Sequence, residues 1–363
     1  MSSHRRTHAQ VSNKMAFPFS AKNREEEEEE EEEEKTYKKY DQFILTLPEY
    51  TIKHARSSAM QDLKYRQYRQ YQSFWFTPDR MLPGIMAAQD HFIPRASDIL
   101  ICTPVKVGTT WLKALAFATL NRNDQPGKQS LLLSHNPHHC VLNLEFNLYG
   151  SNRMTDLTVG TSPRLLSTHI PCQLFPTSWL SSGCKFVYLC RNPKDTFISY
   201  WHFVNKIMKD VNYKVPLGDA FDAFLKGVHL AGPLWDHVFG FWNASLVNPD
   251  KVLFMKYEEL KSDTAVHLKK LAEFMGCPFT EEEERDGVLE KILDMCSFES
   301  LRNLKVNNNG TATTDISLKF GNDAYFRKGE VGDWVNFLTP EMAERLDQAM
   351  QQKLNGSGLS FKP

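Results

Sequence analysis

Apolar residues fall in short runs along this chain, and several runs lead directly into stretches with helical spacing. The run Ile99-Leu100-Ile101-Cys102-Thr103 predicts a strand over 99–103, followed after a short polar turn by a helix over 111–121 beginning Trp111-Leu112-Lys113-Ala114. Lys185-Phe186-Val187-Tyr188-Leu189-Cys190 repeats the pattern, ending in Arg191-Asn192-Pro193 before a helix near 193–208. Lys251-Val252-Leu253-Phe254-Met255-Lys256-Tyr257 does so again, before a helix near 258–276. Repeated strand-then-helix units argue for an α/β fold, a mainly parallel central β-sheet flanked by helices. Helical spacing also covers 37–47, 81–92, 218–230, 234–245, 280–293 and 340–352, while Asn307-Asn308-Asn309-Gly310 through about 320 reads as a loop. There is no repeat and no linker, so residues 36–363 are expected to form one domain.

Charge sharpens the N-terminal boundary. Glu25 to Glu34 are ten consecutive glutamates, and like-charge repulsion predicts a disordered tail over 1–35. That tail holds ten of the chain's 44 acidic residues and six of its 43 basic ones, leaving the remainder at a net +3. So mild a basic balance gives no footprint for nucleic acid. Residues 1–24 lack the apolar core of a signal peptide, and no run approaches the length needed to span a membrane. The seven cysteines form no close pair and no metal-ligand spacing, which fits small core residues in a reducing compartment.

The turn after the first of these strands carries the clearest chemistry. Lys106-Val107-Gly108-Thr109-Thr110 joins a strand to a helix N-terminus, where unpaired N–H groups and the helix dipole stabilise an anion. It is not the usual nucleotide loop, because the Lys precedes the Gly. Arg191, at the end of another strand, and Ser199, roughly 9 Å along the following helix, can grip different oxygens of one phosphate. A third basic element, Arg327-Lys328-Gly329-Glu330-Val331-Gly332-Asp333-Trp334, has glycines that let the backbone approach an oxyanion. Together they predict a ligand with phosphate-like charge at two ends. His169, in Ser167-Thr168-His169-Ile170-Pro171, is the best acid/base candidate. His135, His138 and His139 lack a partner set for zinc, and no obvious Mg²⁺ ligands or kinase motifs are present.

These pieces resemble the cytosolic sulfotransferases, most of all the soluble plant ones, through nearly all of 60–355. The matching stretches are Lys106-Val107-Gly108-Thr109-Thr110-Trp111-Leu112-Lys113-Ala114-Leu115, Ser167 to Pro171, Arg191 to Asp195 with Ser199, Lys256-Tyr257-Glu258, Cys296-Ser297-Phe298-Glu299 and Arg327 to Trp334. The resemblance implies a single α/β domain, a cytoplasmic protein, and 3′-phosphoadenylyl sulfate (PAPS) as donor cosubstrate, with no metal. It places Lys106, Val107, Gly108, Thr109 and Thr110 at the phosphosulfate and Trp111 against the adenine. Arg191, Ser199, Arg327, Lys328 and Gly329 would cradle the 3′-phosphate, with Tyr257, Cys296, Ser297, Phe298 and Leu301 around the nucleoside. His169 would take the acceptor's hydroxyl proton, and Lys106 would neutralise the departing phosphate.

Some positions depart from the family pattern. Pro104-Val105 replaces the Tyr-Pro that usually precedes the Lys, and Val107 replaces a Ser or Thr. Val335 and Pro340 replace a Lys and a Val of the pairing motif, so a monomer or weak dimer is expected. The aromatic segment 65–76, Asn136-Pro137-His138 with Leu144-Glu145, and Trp201-His202-Phe203 resemble regions around the acceptor, implying a hydroxylated small molecule. Flavonols, hydroxyjasmonates, brassinosteroids, desulfoglucosinolates and other phenols or alcohols all fit, without nucleic acid or membrane as partner. Gly232-Pro233-Leu234-Trp235 reads equally well as packing. The rival readings are a nonenzymatic nucleotide-binding or interaction protein and a nucleotide-dependent kinase.

Overall fold

The computed structural model describes residues 24–52, 67–79, 81–123, 130–150, 152, 154–155, 157, 162–208, 214–310 and 320–361. Its centre is a four-stranded parallel sheet of β4 (Ile99–Cys102), β5 (Leu165–Thr168), β6 (Lys185–Cys190) and β7 (Val252–Lys256), in the order β5-β4-β6-β7. Every residue of β4 is buried, as expected for a strand covered on both faces. The predicted strands at 99–103, 185–190 and 251–257 are all present. The fourth, β5, lies in the segment singled out for His169, where only two apolar residues precede the polar Ser167-Thr168.

One face of the sheet packs a core that includes Phe186, Tyr188, Phe197 and Phe241. The other packs Leu112, Leu115, Val187 and Leu268. At the entry of β4, Arg164 pairs with Asp98 through two hydrogen bonds, the Nε one at 2.8 Å, and the pair is almost fully buried.

The helices broadly follow the predicted periodicity, with breaks where backbone chemistry demands them. The helical stretch at 258–276 divides at Asp263, which ends Tyr257–Ser262 and caps Thr264–Met275 by accepting from the Val266 N–H. The stretch at 280–293 divides at Gly287, whose φ of 67° takes the left-handed conformation that favours glycine. The aromatic segment forms an antiparallel sheet with β1 (Glu49–Thr51), in which β2 (Gln67–Tyr71) pairs with β3 (Phe74–Phe76). Its first two residues, Tyr65 and Arg66, lie outside the described residues, as do 1–23 and the 311–319 part of the expected loop.

The glutamate run corrects one expectation. It is helical, within a single helix Arg24–Ile44 that crosses the expected boundary at residue 35. The reason lies at its far end, where Tyr37, Tyr40 and Ile44 dock into the core and the Tyr37 hydroxyl donates to the Tyr149 carbonyl at 2.6 Å. A docked turn removes the nucleation cost, and glutamate is a good helix former once a helix exists. Lys35–Glu31 and Lys38–Glu34 pairs, at 3.4 and 2.7 Å, relieve part of the repulsion.

Replacing Arg164 by Ala strands the buried Asp98 carboxylate at the entry of the central strand. It is expected to destabilise the protein by about 3–5 kcal/mol, read as a fall in the denaturation midpoint.

Candidate active site

All four parallel strands deliver a polar side chain just beyond or at their carboxyl ends. β4 leads to Lys106, β5 to His169, β6 to Arg191 and β7 to Tyr257, and all four line one cavity of about 270 Å³. Ligands bind outside strand carboxyl ends in open α/β sheets because the loops there diverge and leave a crevice.

The turn after β4 is held in an unusual conformation. Lys106 has φ 68° and Gly108 φ 109°, both left-handed. At Gly108 a Cβ would stand 2.7 Å from the Tyr257 ring, so glycine is required by space as well as by φ. The helix Thr109–Leu120 that follows has no side-chain cap, so its first N–H groups are not satisfied by the residue before it. Thr109 Oγ1 instead pairs with Thr103 Oγ1 at 2.8 Å. The Lys106 ammonium lies 4.3 Å from the Phe203 ring centre and 3.5 Å from the Ala324 carbonyl. Burial, and then the positive charges of Arg191, Lys206 and Arg327, lower its pKa to about 7. A cation crowded by cations is stabilised by any anion that enters.

His169 is fixed by three neighbours. Its Nδ1–H donates to the Thr103 carbonyl at 2.7 Å, which leaves Nε2 with a free lone pair. Its backbone N–H donates to Glu145 at 2.7 Å, and its own carbonyl accepts from His237 Nε2–H at 3.1 Å. Burial lowers its pKa to about 4, so the ring is a neutral base at neutral pH.

The third element closes over these groups. Arg191 Nη2 donates to the Glu330 carbonyl at 2.6 Å, while its Nε is buried without a hydrogen-bond partner. Asp195 accepts from the Gly332 and Trp334 N–H groups at 2.7 and 3.2 Å, clasping the basic loop to the helix Pro193–Ile207. Asp333 pairs with Arg327 and with Lys328, the latter at 2.6 Å. A Cβ on Gly329 would meet the Phe298 ring at 2.7 Å, where φ is again left-handed at 69°.

Most expected site residues meet in the cavity: Lys106, Gly108, Thr109, Thr110, Trp111, His169, Arg191, Ser199, Tyr257, Phe298, Leu301, Arg327 and Gly329. Four expected residues do not line the cavity. Val107 and Cys296 are fully buried in the apolar core. Ser297 caps the helix Phe298–Asn303 by accepting from the Ser300 N–H, and the Lys328 ammonium turns to Asp333. Trp235 and Leu234 are packing residues. Lys113 and Tyr325 were missed as site groups, while Glu145, named only in an acceptor-side segment, holds the His169 backbone. A signal existed for Lys113, the one cation on an otherwise apolar helix face. The remaining wall is mainly aromatic and aliphatic, including Tyr68, Phe146, Phe203, Ile207, Met208 and Tyr325, with polar members such as Asp79, Asn136, His138, Asn143, Asn147 and Lys261. Among the described residues no group of His, Cys, Asp or Glu is arranged to hold a metal.

A fold of this topology with an anion-seeking cavity at the strand ends defines a class, and comparison with known proteins places the chain in it. A model of the sulfotransferase domain matches residues 96–358, and the chain belongs to that family. It is 43% identical over 342 residues to cytosolic sulfotransferase 16 of Arabidopsis thaliana, covering 94% of this chain and 97% of the relative. Cytosolic sulfotransferase 5 of the same plant is 45% identical, over 80% of this chain and 90% of its own. A crystal structure of an Arabidopsis thaliana sulphotransferase superposes with a TM-score of 0.66 at 37% identity, covering 88% of this chain and 94% of that one. A mouse sulfotransferase solved with PAP, the desulfonated product of PAPS, has a TM-score of 0.61 at 25% identity, over 80% and 95%.

The buried histidines make stability depend on pH. His169, His237 and His229 have pKa values lowered to about 4, 4 and 3, against 6.5 when exposed. Below 6.5 the unfolded chain binds protons that the folded chain refuses. The stability they contribute is complete above pH 6.5 and is lost as the pH falls through their folded pKa values. Each is expected to cost up to about 1.4 kcal/mol per pH unit in that window, checked by denaturation at pH 7, 5.5 and 4.5.

Proposed function

We propose that this sulfotransferase moves a sulfuryl group from PAPS to the hydroxyl of a small, largely apolar metabolite. The observation that carries the reading is the convergence of Lys106, His169, Arg191 and Tyr257 from four strand ends on one cavity, with the Arg191 Nε buried and unpartnered there. The Arg191 guanidinium shares the cavity wall with Ser199, Arg327 and Gly329, a set that fits a phosphate. The turn of Lys106, Gly108, Thr109 and Thr110 fits a second anionic centre, so the two ends match the phosphosulfate and the 3′-phosphate of one donor. Trp111 and Tyr257, with ring centres 5.7 Å apart, and Phe298 and Leu301 supply apolar surface for the adenine between them.

In the reaction, the acceptor oxygen attacks sulfur as its proton passes to His169 Nε2. The bond from sulfur to the phosphate oxygen breaks, and the charge that appears on that oxygen is met by Lys106 and the helix N–H groups. The Thr103 carbonyl holds the imidazole in the tautomer this requires, and it balances the proton that arrives. The aromatic wall favours a flat or lipid-like acceptor such as a flavonol, hydroxyjasmonate, brassinosteroid or other phenol or alcohol. We place the protein in the cytoplasm, as the names of its plant relatives suggest; no helix among the described residues is long and apolar enough to cross a membrane. Val335 and Pro340 stand where the family's pairing motif has a Lys and a Val, which supports a monomer or weak dimer.

Replacing His169 by Asn is expected to lower kcat about 10²- to 10⁴-fold while PAP binding, read by calorimetry, stays within a few-fold. Replacing Lys106 by Met is expected to cost at least about 100-fold in kcat and to weaken PAP as well. Transfer is assayed with labelled PAPS against a panel of hydroxylated metabolites. A wild-type chain that binds PAPS and sulfates none of them would favour a binding protein, and one that binds no PAPS would end the proposal.

A further inference from the structure

The helix Thr109–Leu120 carries Lys113 one turn beyond Thr110, and its side chain has no exposed surface. A lysine pointing into apolar packing is costly unless its ammonium has acceptors. Here it has two. Nζ lies 3.0 Å from the Val141 carbonyl and 3.1 Å from His138 Nδ1. The other nitrogen of that imidazole, Nε2, lies 2.9 Å from Thr110 Oγ1. Three side chains thus form one line from the core to the cavity, where Thr110 and His138 are both exposed to any ligand.

The direction of the line follows from donor counting. Burial lowers the Lys113 pKa to about 7; in its ammonium form it has donors only, so His138 Nδ1 accepts from it and the ring proton sits on Nε2. That proton is donated to Thr110 Oγ1. A hydroxyl that accepts from one side has its single proton left to give elsewhere, and the remaining direction is the cavity. The ring stacks on Tyr325, whose centre is 4.1 Å away at 23°, and a half-turn in that plane would set ring carbons against Lys113 and Thr110, losing both hydrogen bonds. Asn136 caps the short helix Pro137–Cys140 at the His138 N–H, at 2.9 Å, and so holds the ring from its backbone as well. Burial and the nearby Lys113 also keep His138 neutral, its pKa well below 6.5.

We propose that His138, oriented by the buried Lys113, is a positioning residue that commits the Thr110 hydroxyl proton to an oxygen of the bound donor. The inference rests on the PAPS reading above and assigns a task to two residues outside the expected set. A hydroxyl free to rotate must be ordered when the donor binds or when charge develops, whereas one already aimed gives its hydrogen bond without that cost.

A double-mutant cycle tests it. Thr110→Ala and His138→Phe, the latter keeping an aromatic ring on Tyr325, are each expected to lower kcat/KM for PAPS about tenfold. Together they are expected to cost about tenfold again in total, not the hundredfold of independent effects. His138→Gln, which restores an amide N–H toward Thr110, should recover most of the loss. Independent losses in the cycle, with the wild type active, overturn this inference and leave the sulfotransferase reading intact. A wild type that binds no PAPS overturns both. Nitrogen-15 chemical shifts of the wild-type imidazole give a readout that needs no variant to fold: Nε2 protonated and Nδ1 bare is expected, and the reverse tautomer overturns the proposal.

Discussion

The parallel register of β4 between β5 and β6 is the constraint on which the site depends. Cys102 lies level with Thr168 on one side and Tyr188 on the other, so the strands end nearly together. The next residue along β4, Thr103, donates its N–H to the Thr168 carbonyl at 3.1 Å. Its own carbonyl then stands where it can accept from the imidazole of the next residue along β5, His169. A slip of one residue would turn His169 to the opposite face of the sheet and leave the Lys106 turn without a base beside it. The buried Arg164–Asp98 pair at the other end of β4 and β5 holds that same alignment.

Electrostatically, the cavity is a place where positive groups are kept close together by backbone and aromatic partners. The Lys106 ammonium rests over Phe203, Arg191 over the Tyr257 ring at 4.5 Å, and Arg327 against Asp333. The carboxylates of Asp333, against Arg327, and Asp195, 3.4 Å from Arg191, offset part of this charge, while the ring beneath Lys106 does not. Burial first, and then the field of the neighbouring cations, lower the Lys106 pKa to about 7. An anionic donor relieves it, and the departing phosphate of a transfer step relieves it further. The acidic groups that shape this region, Asp195 and Asp333, hold the loop over the site by accepting from its backbone and side chains.

The departures from the family pattern have modest structural consequences. Pro104 is buried and Val105 lines the cavity, and the turn still brings Lys106 to the site, in a left-handed conformation. Val107, where a Ser or Thr is usual, turns into the core, so its change of chemistry is not presented by a side chain to the ligand. The glutamate run shows the opposite case, a local rule overridden from a distance. Its composition argues for disorder, but the tyrosines at its end anchor a helix that the glutamates can extend.

Much of this protein is legible in its sequence because it rests on local chemistry. Strand-then-helix alternation, the Lys106 to Thr110 turn, the strand-ending Arg191 and the glycine-bearing basic loop each express a backbone or charge requirement within a few residues. The short strand β5 was less visible, because half of its residues are polar and they find partners only across the fold, in Glu145 and Leu142. Which side chains reach the cavity was also beyond the sequence: Cys296 and Ser297 lie next to Phe298 in the chain, yet burial and helix capping take both side chains away from it. The line from Lys113 through His138 to Thr110 is tertiary in the strictest sense. It joins residues 25 and 28 positions apart, and only packing of the Pro137–Cys140 turn against the first turns of the Thr109–Leu120 helix gives a buried lysine its acceptor and a threonine hydroxyl its direction.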